Sequence, residues 1–289
     1  MIAISGLTKR YKDVLAVDDV TLEIPSGSVC GLLGRNGAGK TTAFKCLLGF
    51  TKPDAGEVHF DGERLTPPVF ERLGYVPERP QLYAWLTVAQ HLELVRRSQP
   101  RYDGARAKEL LATFRLDPRK KAKRLSKGQQ TALALIVALA PNPSLLILDE
   151  PASGLDPVMQ RAVLDLLIEA ATGGATVLLS SHQIGQIERA ADRVAIMRDG
   201  RIVLSGELDD LRAAAKIVEA TFDNAIPPLD GVVGVSRFER MGTSIRAYTN
   251  GETEAVVQQL GALGGRGVRV LDRNLEDLFL DAVADESVH

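Results

Sequence analysis

The sequence predicts an α/β fold, a mostly parallel sheet covered by helices, with a small α/β domain after it. Short apolar runs alternate with helical patterns between residues 145 and 197. A glycine-rich loop, Gly34-Arg35-Asn36-Gly37-Ala38-Gly39-Lys40-Thr41-Thr42, joins an apolar run to a helical pattern. Near residues 206–215 the alternation breaks and the chain restarts with a pattern of its own.

Residues 2–60 read as short strands, with turn signals at Tyr11-Lys12-Asp13 and Pro25-Ser26-Gly27. Within them, 28–33 is a buried strand and 42–49 a helix with a glycine stop. From about residue 85 to residue 140 the pattern is helical: Val88, Leu92 and Val95 recur at helical spacing, as do Leu110, Leu111 and Phe114. Residues 145–148 are a fully apolar strand, 158–171 a helix, and 176–180 and 194–197 further strands. Beyond the break, strands are expected at 217–222, 232–238, 244–248 and 268–271, with helices at 253–263 and 275–284. The domain boundary therefore falls between 210 and 211, giving domains 1–210 and 211–289.

Composition narrows the function classes. The 289 residues are 45% hydrophobic and 25% charged with a formal net charge of -2, so no basic field points to nucleic acid. The apolar run 132–140 is too short to span a bilayer and is followed by Pro141 and Pro143. The opening Met1-Ile2-Ala3-Ile4 reaches Lys9-Arg10 without a secretory leader, which predicts a cytoplasmic protein. The two cysteines, Cys30 and Cys46, lie on apolar segments and read as buried free thiols.

Residues 34–42 fit the phosphate-binding pattern of Gly, four residues, Gly, Lys, then Ser or Thr. Glycines let backbone N–H groups converge on phosphate oxygens, and a helix N-terminus adds unpaired donors and partial positive charge. Asn36, Gly37, Ala38, Gly39, Lys40, Thr41 and Thr42 are thus candidates to hold a nucleoside triphosphate. Lys40 reaches the β- and γ-phosphates, and the Thr41 hydroxyl ligates Mg²⁺. The strand 145–148 ends in Asp149-Glu150, at a strand tip where a parallel sheet presents its ligand site. Asp149 fits as a Mg²⁺ ligand and Glu150 as the group that polarises the attacking water. Ser126, in Leu125-Ser126-Lys127-Gly128-Gln129, is placed as the N-cap of an apolar helix whose first turn can meet an anion.

At this point the sequence resembles the ATP-binding subunits of ABC transporters, whose signature reads Leu-Ser-Gly-Gly-Gln. The resemblance covers about residues 2–210, with five motifs in the family order. It implies a P-loop NTPase core of ABC type, with an N-terminal antiparallel β subdomain and a helical subdomain at about 85–140. Tyr11 takes the place of the adenine-stacking aromatic, with Val17 on the same wall. His182, closing Ser180-Ser181-His182, matches the switch histidine at the γ-phosphate. Asp156 closes the loop Ser153-Gly154-Leu155-Asp156, which crosses the dimer interface in the family. Two copies sandwich two ATPs there, so Ser126, Gly128 and Gln129 meet the partner's nucleotide in a homodimer or heterodimer.

Three departures stand out. Glu78, in Gly74-Tyr75-Val76-Pro77-Glu78, occupies the glutamine-loop position where Gln is usual, and joins Thr41 and Asp149 as a metal candidate. It matches a branch serving exporters, whose members tend to carry a small C-terminal domain. Lys127 replaces a signature glycine, and either adds charge near the opposing γ-phosphate or points to solvent. The signature helix lacks the family's arginines. The basic run 119–124 reads first as a solvated loop.

The implied function is an ATP-hydrolysing subunit, peripheral on the inner face of the cell membrane and coupled to an integral-membrane permease on a separate chain. The segment from Glu78 to Trp85 is the expected contact, with Tyr83 and Trp85 either on a docking surface or packed between subdomains. The alternative is a soluble non-transport ABC ATPase. Against it, the chain has one P-loop and no sustained heptads between Thr42 and Leu125.

Overall fold

The computed structural model describes residues 1–64 and 66–284. It divides into two compact units, Met1–Ser205 and Gly206–His289. Residues 285–289, the end of the expected second domain, lie outside the described residues.

The first unit opens with β1 (Ile2–Tyr11) and β2 (Val14–Ile24), then β3 (Val29–Leu33), α1 (Lys40–Leu47), β4 (Ala55–Phe60), β5 (Glu63–Arg64), α2 (Pro67–Phe70) and β6 (Leu73–Val76). The helical stretch holds α3 (Val88–Ser98), α4 (Gly104–Thr113) and α5 (Lys127–Leu139). After it come β7 (Leu145–Asp149), α6 (Pro157–Thr172), β8 (Thr176–Ser180), α7 (Ile184–Ala190), β9 (Arg193–Arg198) and β10 (Arg201–Glu207). One sheet has the order β2-β1-β4-β5, and its pairs are antiparallel. The other has the order β10-β9-β3-β8-β7-β6, with β9, β3, β8, β7 and β6 paired in parallel.

Local sequence explains these elements. Every residue of β3, β7 and β8 is buried, as the continuous apolar runs of a sheet covered on both faces require. Thr87 and Gln90 form a capping box on α3, and Asp103 caps α4 through the Ala105 and Arg106 N–H groups. Helix α5 is buried along most of its length, which accounts for its arginine-free sequence: a helix covered on all sides has no solvated face for charge. Strands β1 and β2 are longer than the short strands expected. A register shift between Ile4 and Leu7 lets β1 continue through a bulge instead of ending there. Cys30 and Cys46 are buried free thiols, and burial pushes the Cys30 thiol up to about 12.

The second unit holds α8 (Leu208–Ala214), β11 (Ala215–Thr221), β12 (Val235–Met241), β13 (Ser244–Asn250), α9 (Thr253–Ala262), β14 (Arg266–Asp272) and α10 (Leu275–Val283). Its sheet has the order β12-β13-β11-β14. Strand β12 starts at Val235, not at 232, because Gly234 has a φ of 87° and breaks the extended run. Helix α10 is tied to the sheet by a buried polar cluster. The wholly buried Arg273 donates to Asp281 Oδ2 at 2.7 Å and to the Asp277 carbonyl at 2.9 Å. Asp281 also accepts from Ser236 Oγ at 2.7 Å and Arg237 Nε at 3.1 Å. The Arg237 guanidinium lies 3.7 Å from the Tyr248 ring centroid. Removing one partner of such a cluster leaves a buried charge uncompensated, so Asp281→Ala is expected to cost about 3–5 kcal/mol. Urea unfolding of the full chain followed by circular dichroism reads this as an earlier transition of the second unit. An unchanged curve would show that the cluster does not hold α10.

Candidate active site

A cleft of about 570 Å³ lies beyond the carboxyl ends of the parallel strands. Residues 36–42 follow β3, Asp149 ends β7 with Glu150 next to it, His182 follows β8 and Glu78 follows β6; all line it. This is where an open α/β sheet presents a ligand site.

The loop after β3 is built for close backbone approach. Gly39 is the N-cap of α1 with a φ of 106°, and a Cβ there would sit 2.3 Å from the Ala16 carbonyl oxygen. No other residue type fits, and the N–H groups of the first turn of α1 open towards the cleft. Lys40 is buried, and its Nζ donates to the Gly34 carbonyl at 2.6 Å. Burial lowers its pKa, and the charges of Glu150 and Asp149 work the other way.

Asp149 is held at both carboxylate oxygens. Thr41 Oγ1 donates to Oδ2 at 3.1 Å and Ser180 Oγ donates to Oδ1 at 2.6 Å. Glu150 has a left-handed backbone with a φ of 52°, uncommon for a residue with a side chain. Its carboxylate Oε2 lies 2.7 Å from His182 Nδ1. Thr41, Asp149 and Glu78 offer oxygen donors to the same cleft, a set that suits a hard divalent cation held largely by phosphates and water. Among the described residues no group of three or more His, Cys, Asp or Glu forms a dedicated metal cage.

Neither residue expected at the adenine lines this cleft: Val17 is wholly buried in the core and Tyr11 stands exposed outside the lining, while Val14, Leu15 and Ala16 line it. Lys9 Nζ lies 5.4 Å from the Tyr11 ring centroid.

Ser126, Gly128, Gln129 and Asp156 are also outside the lining of this cleft. Ser126 caps α5: its side chain accepts from the Gln129 N–H at 3.2 Å, and Gln129 Oε1 accepts from the Ser126 N–H at 3.2 Å. Gln129 Oε1 also accepts from Lys120 Nζ at 3.0 Å, so this amide oxygen is engaged within its own chain. That leaves the Lys127 and Gly128 N–H groups as first-turn donors. Lys127 is exposed, but its stem and ammonium lie along Gly154: a Cβ built on Gly154 would sit 3.1 Å from Nζ. Asp156 caps α6 through the Val158 and Met159 N–H groups, each at 3.0 Å.

Sequence reasoning gave no role to the Asp199-Gly200 turn or to Ser180. The turn lines the cleft, and the Gly200 N–H donates to the Ala38 carbonyl at 3.0 Å. An Asp-Gly pair between two strands is a readable hairpin signal, but its place beneath the loop is set by tertiary packing. Tyr83 and Trp85 are 53% and 66% exposed with ring centroids 5.4 Å apart, so of the two alternatives the surface position holds.

Comparison with known proteins agrees with this geometry. Residues 17–153 match the profile of the ABC transporter family. An uncharacterized ABC transporter ATP-binding protein, YhaQ of Bacillus subtilis, is 31% identical over 98% of this chain and 98% of its own length. The Nod factor export ATP-binding protein I of Cupriavidus metallidurans is 34% identical over 97% of this chain and 96% of its own. A dimeric ATP-binding cassette solved in a post-hydrolysis state with ADP and Pi aligns with a TM-score of 0.64 and 27% identity. The alignment covers 72% of this chain and 99% of that one.

Proposed function

We propose, from the premise that this chain belongs to the ABC transporter family and is an ATP hydrolase, that it powers export through a separate membrane permease. The observation that carries the reading is the meeting of Lys40, Thr41, Asp149, Glu150 and His182 in one cleft at the strand tips. In this reading the backbone of residues 36–42 cradles the phosphates and Lys40 turns from the Gly34 carbonyl to the β- and γ-phosphates. Thr41 and Asp149, with Glu78 beside them, would hold Mg²⁺, which when bound supplies charge neutralisation on the phosphates. Glu150 orients water and accepts its proton, with its carboxylate aimed by His182.

The nucleotide site takes its second half from another copy. Ser126, Gly128, Gln129 and Asp156 stand apart from the cleft of their own chain, and the matched cassette is a dimer. The export direction rests on Glu78, on the accessory second unit and on the full-length match to a Nod factor export protein. No helix among the described residues is long and apolar enough to cross a membrane. In this reading the permease is a separate chain and this subunit sits at the inner membrane face.

Tyr83 and Trp85, exposed and in contact just beyond Glu78, form the proposed permease contact. The double variant Tyr83→Ser, Trp85→Ser should lose retention on membranes carrying the permease by at least about tenfold, the effect of one interface hot spot. Co-sedimentation measures it, with ATP binding as the folding control. Full retention would place the contact elsewhere.

A further inference from the structure

We propose that Ser180 is a positioning residue for hydrolysis, setting both the Asp149 carboxylate and the backbone of Glu150. Ser180 is wholly buried and outside the cleft lining, so it acts through its neighbours and not on the nucleotide. Asp149 and Ser180 are register partners at the tips of β7 and β8. The hydroxyl has one proton to give and lone pairs that accept. A backbone N–H can only donate, so Ser180 Oγ accepts from the Glu150 N–H at 3.0 Å and gives its own proton to Asp149 Oδ1 at 2.6 Å. The Ser180 carbonyl accepts from the same Glu150 N–H at 3.2 Å.

These bonds fall where the chain leaves its regular path. Glu150 turns into the left-handed region one residue after the end of β7. A residue with a Cβ persists there only when its surroundings over-determine it. Ser180 supplies the two bonds to the Glu150 N–H, and the Glu150 carbonyl accepts from the Ser153 N–H at 3.1 Å. The turn projects the Glu150 carboxylate to His182. Thr41 holds the other oxygen of Asp149, so the Ser180 hydroxyl completes a two-point clamp on that carboxylate. An alanine at 180 would leave Asp149 Oδ1 without this donor and Glu150 with the longer carbonyl bond alone.

The inference rests on the reading of Glu150 as the group that directs water, and a double-mutant cycle separates the two. In the full chain, Ser180→Ala should lower kcat about 10- to 100-fold, the usual cost of losing a partner that orients a reacting group. The KM for ATP should stay within about twofold, since uniform binding is untouched. Introduced into Glu150→Gln, the same change should lower the residual turnover by no more than about threefold, because groups acting as a unit are non-additive. An equal fold-loss in both backgrounds overturns the setting of Glu150 by Ser180, and a Ser180→Ala chain with wild-type kcat overturns its role at Asp149 as well. Wild-type turnover by Glu150→Gln alone overturns the reading of Glu150 instead.

Discussion

Exchanging Glu150 for Gln should reduce ATP turnover by about 10²- to 10⁴-fold while leaving ATP bound, the range that a positioned general base contributes. Gln keeps the length of the side chain and its capacity to bond His182, whose Nδ1 lies 2.7 Å from the carboxylate. It loses the ability to take a proton from water. Residues 36–42 and Lys40, which carry the phosphates in this reading, are untouched by the change. The Glu150 N–H still meets Ser180, so the left-handed turn is kept. Phosphate release and equilibrium nucleotide binding, measured on the same preparation, distinguish loss of chemistry from loss of substrate. Turnover at the wild-type rate would remove Glu150 from the mechanism.

The second large effect is expected far from the cleft. Gly128→Asp should lower hydrolysis by about 10²- to 10³-fold, the cost of losing a preorganised anion donor, without weakening ATP binding to the isolated chain. Gly128 is in the first turn of α5, where an N–H group and the helix dipole favour an anion. A carboxylate there competes with phosphate for the same donors and repels it. Acidic residues stabilise a helix N-terminus, so the change does not melt α5. Its Cβ would lie 3.1 Å from Leu155 Cδ2, which presses on the loop 153–156 as well. ATP affinity of the monomer is the discriminating measurement. A collapse of that affinity would mean that Gly128 serves its own chain's nucleotide.

Much of this site is legible in the sequence, for a physical reason. Residues 34–42 carry their geometry locally, because glycine spacing dictates where N–H groups point. The all-buried strands β3 and β7 announce themselves as apolar runs, which places the loop that leads to Lys40 beyond one strand tip and Asp149 and Glu150 at another before any contact is known. What is not legible depends on register between distant strands. Ser180 is one of two adjacent serines in the sequence, and only the alignment of β7 with β8 brings its hydroxyl to Asp149. The placement of the two residues expected at the adenine is likewise set by packing. Tyr11 and Val17 are on strands β1 and β2, but the turn between them puts Val14 to Ala16 in the cleft and Val17 in the core. The capping box at Ser126 could be read from its Gln three residues on. That Lys120 also holds the Gln129 amide oxygen, and that Lys127 lies along Gly154, are tertiary facts. In the second unit nothing in the sequence singles out Arg273, and only the packing of α10 buries it against Asp281.

The central claim is that one cleft is half of a hydrolytic site and that a second copy completes it. The most direct test mixes two inactive chains, Lys40→Ala, which cannot hold the phosphates, and Gly128→Asp, which cannot complete a partner's site. In the mixed dimer the intact P-loop of the Gly128→Asp chain faces the intact signature turn of the Lys40→Ala chain. ATP turnover should therefore return on mixing, although neither chain hydrolyses ATP alone. A mixture as inactive as its components, under conditions where the two chains associate with ATP, would contradict a site shared between copies.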